Sequence, residues 1–183
     1  CLPKDEATER EGLAEAQRRR EEPPAGRRLE VQKLKAAMAA KLADAEDLLR
    51  LLDEFFLGEL LRNGTTTAMV FATTHSNSVD AIFEAARARS MRLIAGKVLM
   101  DRHVPEAVRD TADSGYADSK ALIARWHGRD RLLYAVTPRF APTSTERQLE
   151  LCGRLLDEHP DVYLQSHVAE NRGEVAWVAL LYP

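Results

Sequence analysis

The sequence predicts an α/β fold: a partial (β/α)8 TIM-type barrel of about four βα units, preceded by a long N-terminal helical segment. Three observations carry this expectation. Between Gly64 and Pro183, a short run of β-formers followed by a helical periodicity recurs four times, which implies parallel strands joined by helical crossovers. The strand candidates are continuously apolar, as in Leu93-Ile-Ala and Leu132-Leu-Tyr-Ala-Val, the pattern of strands covered on both faces. His75, Asp101, Arg139 and His167 each fall just after a strand candidate, and in a barrel those loops share the face that carries the chemistry. A small open doubly wound sheet uses the same elements, but it calls for a glycine-rich turn after its first strand. Neither GxGxxG nor GxxxxGK[ST] occurs in the chain.

The elements follow in order. Residues 1–28 read as a charged, disordered tail in which acidic and basic residues balance, ending at Pro23-Pro24. The triplet Arg18-Arg19-Arg20 is a weak basic patch, because Glu21 and Glu22 sit beside it. Residues 29–63 form one long amphipathic helix: Val31, Leu34, Met38, Leu42, Ala45, Leu49, Leu52, Phe56 and Leu60 recur at steps of three and four, and Asn63-Gly64 stops it. It reads as a packing helix; breaks in the stripe at Lys41 and Asp44 count against a dimerising coiled coil. Residues 64–183 are the partial barrel. Its strands are expected at Thr66–Ala72, Met91–Val98, Arg131–Thr137 and Asp161–His167, with helices at Ser78–Arg89, near Tyr116–His127, at Thr145–Glu158 and at Asn171–Leu181.

Composition narrows the function. With 183 residues, 45% of them hydrophobic, the chain can bury a real core. A formal net charge of -3 gives no reason to expect nucleic acid or an anionic membrane as partner. Cys1 and Cys152 cannot build a disulfide framework, which suits a reducing, cytoplasmic compartment. The N-terminus has no apolar signal core, and both ends, Cys1 and Leu180-Leu-Tyr-Pro183, read as cut.

Two constellations carry chemistry. In Val162-Tyr-Leu-Gln-Ser-His167-Val-Ala-Glu170, a strand delivers a His and, three residues on, a Glu. A neutral imidazole there can ligate zinc, and the Glu can swing over the metal and carry a proton. The bland readings are a His satisfied by backbone and a Glu that starts a helix. In Pro138-Arg139-Phe140-Ala-Pro142, a planar guanidinium fork and an aromatic face sit in a proline-stiffened loop, the pair needed to hold a flat polar ring. Against that stands an Arg139 paired with a carboxylate and a Phe140 that plugs the barrel top. His127 and His159 close helices and read as solvent-facing; Lys97 and Asp101 read as a structural ion pair.

These residues carry a family resemblance. Phe55-Phe-Leu-Gly-Glu-Leu-Leu-Arg-Asn-Gly-Thr-Thr-Thr-Ala-Met-Val-Phe-Ala-Thr-Thr-His75, Ala95-Gly-Lys-Val-Leu-Met-Asp101, Thr137-Pro-Arg-Phe-Ala-Pro-Thr143 and Gln165-Ser-His-Val-Ala-Glu-Asn-Arg172 resemble guanine deaminases, zinc enzymes of the amidohydrolase superfamily, in order from about residue 52 to 183. The resemblance implies hydrolysis of guanine to xanthine and ammonia in purine breakdown. It makes His167 a zinc ligand, Glu170 the acid/base, and Arg139 and Phe140 the residues that hold and stack guanine. The family's His-x-His pair is absent from this sequence, and the resemblance puts a further His and Asp ligand past Pro183. The isolated chain is therefore expected to be inactive, and a half barrel with open edges is expected to self-associate. Two rival readings remain: a non-enzymatic remnant or self-association module, and an amidohydrolase acting on another amino-substituted heterocycle.

Overall fold

The computed structural model describes the backbone of residues 45–183 and the side chains of residues 53–183. The expected tail at 1–28 and the first half of the long helix lie outside the described residues. The second half is present as α1 (Ala45–Arg62). It ends where the sequence says it should. Gly64 takes a left-handed φ of 80°, and the Thr65 amide turns back to donate to the Leu60 carbonyl at 2.9 Å.

Four βα units follow. β1 (Thr67–Phe71) leads to α2 (Ser76–Ala88), and β2 (Arg92–Gly96) with β3 (Val98–Leu99) leads to α3 (Ala112–Trp126). β4 (Leu132–Pro138) leads to α4 (Glu146–Glu158), and β5 (Tyr163–Leu164) leads to α5 (Arg172–Leu181). Helix α3 starts earlier than its apolar periodicity, because Thr111 and Ser114 form a reciprocal capping box. Thr145 and Asn171 cap α4 and α5 from one side only, each accepting from the backbone N–H three residues on.

All pairings are parallel, and the strands lie side by side in chain order, β1 next to β2, then β4, then β5. β2 and β3 pair with β4 in one continuous register, Leu93 with Leu132 and Val98 with Thr137, so they are one strand interrupted at Lys97. Sequential parallel order is that of a barrel wall; a doubly wound sheet reverses its order partway. The wall curls strongly. Gln165, just past β5, reaches across the inner face to donate to the Val70 carbonyl on β1 at 2.9 Å and to Thr137 Oγ1 on β4 at 3.0 Å. The outer face packs on the helices around Phe83, Leu93, Leu122, Trp126, Tyr134 and Leu155, all buried.

Three expectations need correction. Only Tyr163 and Leu164 of the Asp161–His167 run form a regular ladder; beyond them this edge strand is held on one side alone, by single bonds such as His167 N–H to the Arg139 carbonyl at 2.9 Å. Lys97 does not pair with Asp101. At the β2–β3 interruption its side chain turns to the helix side, where it is 1% exposed, bonds Asp110 and lies 3.8 Å from Asp118. Asp101 instead accepts the Thr145 N–H at 2.7 Å, fixing the start of α4. His127 does not face solvent: its side chain is 10% exposed, with Nδ1 accepting from the Tyr134 N–H at 3.0 Å and Nε2 3.1 Å from Asp161.

Candidate functional site

The C-terminal ends of the strands surround a cleft of about 400 Å³, lined among others by Phe71, His75, Met100, Arg139 and His167. Three of the four polar residues expected at the mouth, His75, Arg139 and His167, therefore meet in one cleft; Asp101 does not, being taken up by Thr145.

His167 is the best defined of them. Its Nδ1–H donates to the Arg139 carbonyl at 3.0 Å, and its ring lies 4.3 Å, centroid to centroid, from Phe71 across the mouth. A carbonyl can only accept, so this bond places the proton on Nδ1 and leaves the Nε2 lone pair unoccupied. Nε2 lies 4.0 Å from Glu170 Oε1, the only described side chain paired with it. An oriented imidazole with its outer nitrogen available is the form a metal ligand takes.

Arg139 and Phe140 meet each other: the guanidinium carbon sits 4.9 Å from the Phe140 ring centroid. The cation thus rests on the aromatic face, which keeps both groups at one place on the mouth. Phe140 is braced edge-on by Trp177 of α5, with centroids 6.5 Å apart. Trp177 also contacts the ring of His103, whose Nδ1–H donates to the Pro142 carbonyl at 2.8 Å. The loop that carries Arg139 is therefore held from two sides, by the loop after β3 and by α5.

Gln165, Trp177 and Glu174 were not singled out from the sequence. Only Glu174 left a signal there: a Glu three residues after an Asn before an apolar run, the pattern of a capped helix start. Among the described residues, no group of three or more His, Cys, Asp or Glu side chains is arranged to hold a metal ion. One imidazole is not a complete site for zinc, which takes at least three protein ligands.

Comparison with known proteins agrees with this architecture. Residues 33–183 match the Amidohydrolase family. The guanine deaminase of Escherichia coli K12 is 57% identical over 134 residues, covering 73% of this chain and 30% of that protein. The solved structure of the E. coli guanine deaminase superposes with a TM-score of 0.75 at 55% identity, over 76% of this chain and 33% of that one. A guanine deaminase from C. acetobutylicum, solved with guanine in its active site, superposes with a TM-score of 0.72 at 26% identity, over 75% of this chain and 33% of that one. The chain thus spans about a third of the length of the relatives it matches. Parallel strands in sequential order, the curled wall and the match over residues 33–183 together make the chain a member of the amidohydrolase family.

Proposed function

We propose that these residues form part of a guanine deaminase, a cytoplasmic enzyme that hydrolyses the exocyclic amine of guanine to give xanthine and ammonia. The observation that carries the reading is the oriented pair at the end of β5. His167 has its proton fixed on Nδ1 by a backbone carbonyl, and Glu170 stands 4.0 Å from the other nitrogen. The similarity to guanine deaminases, one of them solved with guanine bound, supports the choice of ring.

In this reading each side chain has one task. Arg139 offers a planar donor fork to the carbonyl and ring nitrogen of the purine, and Phe140 offers to the ring the face that Arg139 does not cover. Water adds at C2, the C–N bond to the amine breaks and ammonia leaves; Glu170 carries the water's two protons in turn, one to the ring nitrogen as the oxygen adds and one to the amine as it departs and the C2 carbonyl forms. His167 would be one ligand of a zinc ion, which when bound supplies a more acidic water. The described residues do not complete that metal site, and by themselves these 183 residues are expected to release no ammonia from guanine. Apolar side chains exposed along β5 and α5, among them Leu164 at 53% and Leu180 at 82%, favour self-association of the chain.

The test is a graft. The segment matched to the E. coli guanine deaminase is exchanged into that enzyme, and the chimera is assayed on guanine, adenine and an aminotriazine. Release of xanthine from guanine, with little or no turnover of the other two, is the expected result. A folded, metal-loaded chimera that prefers another amino-substituted ring would sink the guanine assignment.

A further inference from the structure

We propose that Glu174 is a positioning residue, one that fixes the loop backbone from which Glu170 reaches the mouth. The inference rests on the reading of Glu170 as the proton carrier and deepens it. Glu174 is 7% exposed, in the first turn of α5, while Val168, Ala169 and Glu170 are all exposed, Val168 at 79%. With their side chains exposed, burial does little to hold those three residues in place.

Glu174 holds their backbone instead. Its Oε1 accepts the Ala169 N–H at 3.0 Å and its Oε2 accepts the Glu170 N–H at 2.9 Å. Two consecutive amides gripped by one carboxylate define the plane of the peptide between them and the direction in which the Glu170 side chain leaves. In an ordinary capping box, the Glu would return to the amide of the capping residue, here Asn171. Glu174 reaches past it to the two preceding amides, while Asn171 Oδ1 separately accepts the Glu174 N–H at 2.9 Å. The grip also accounts for Ala169, which takes a left-handed φ of 54° that alanine rarely adopts unless its surroundings impose it.

The geometry makes graded demands on the side chain. Asp is one methylene short, Gln brings a single accepting oxygen, and Ala brings none. The experiment is amide hydrogen exchange by NMR on the 183-residue chain. In the unaltered chain, the Ala169 and Glu170 amides are expected to exchange at least about ten-fold more slowly than the Val168 amide, as charge-assisted bonds require. Glu174→Ala should abolish both protections and Glu174→Gln only one, while the Val178 and Ala179 amides later in α5 change less than about two-fold. Exchange at Ala169 and Glu170 as fast as at Val168 in the unaltered chain would overturn the proposal, and so would a Glu174→Ala chain that keeps both protections. Should either variant lose α5 altogether, the pattern in the unaltered chain decides. The proton-carrier reading fails by a different result, a Glu170→Gln graft that deaminates at the full rate, which leaves these exchange rates untouched.

Discussion

Gly96 sits where β2 gives way to β3, and the structure allows a number to be put on replacing it. A Cβ built there would stand 1.7 Å from the Ala135 carbonyl oxygen, 2.9 Å from the Ala135 carbonyl carbon and 2.9 Å from Thr137 Oγ1. The first contact is with the backbone of the neighbouring strand, which no rotamer change can move. In Gly96→Ala, β2 and β4 must part by more than an ångström beside the Leu93–Ala95 ladder. Losing one or two ladder bonds at roughly 1 kcal/mol each, with overpacking strain of about 1–3 kcal/mol, gives a destabilisation of about 2–5 kcal/mol. With a urea slope of about 2 kcal/mol/M, the unfolding midpoint should fall by about 1–2.5 M. Thr137 also accepts from Gln165, so the loss extends to the bridge across the inner face. Gly153→Ala is the control: nothing lies within 4 Å of its added Cβ, and it sits inside α4, so it should gain about 0.5–1 kcal/mol. A Gly96→Ala midpoint within about 0.5 M of the parent would refute the close-approach argument.

Two further outcomes are expected. Burial pushes the Asp53 carboxyl from 3.8 up to about 7, and its Oδ2 is buried without a hydrogen-bond partner among the described residues. The folded chain thus keeps this proton to higher pH than the unfolded chain does. The stability it contributes is full below about pH 4 and is lost as pH rises through about 7. Asp53→Asn should therefore match the parent near pH 4 and exceed it above pH 7 by about 1–2 kcal/mol, a figure discounted for partial exposure; parallel stability curves across that range would contradict this. On sizing columns, the 183-residue chain should elute as concentration-dependent oligomers, and Leu164→Lys with Leu180→Lys should shift it toward monomer. A sharp monomer at high concentration would remove the case for self-association.

The parts of the fold legible in the sequence were those set by periodicity and local caps. Four βα units, their order and the stop of α1 at Asn63-Gly64 follow from apolar spacing and turn chemistry, and each appears close to its expected place. What periodicity could not convey was where a side chain turns at an irregularity. Lys97 and Asp101 read as an ion pair in the sequence, but the break at Gly96–Lys97 sends Lys97 to Asp110. His127 closes a helix, as its position suggested, yet the β4 backbone and Asp161 draw it inward. At the mouth, the loops that carry Arg139 and His167 could be read directly. The braces behind them, Gln165 and Trp177, could not, because their roles depend on residues distant in the chain, such as Val70 and His103.

The central claim is that His167 and Glu170 perform the chemistry of guanine deamination. It is tested most directly by the initial rate of xanthine formation in the chimeric enzyme, with and without Glu170→Gln. The account predicts that the chimera turns over guanine, and that Glu170→Gln lowers kcat by about 10²–10⁴-fold while zinc content is retained. A Glu170→Gln chimera that keeps the parent kcat with its zinc in place would contradict it.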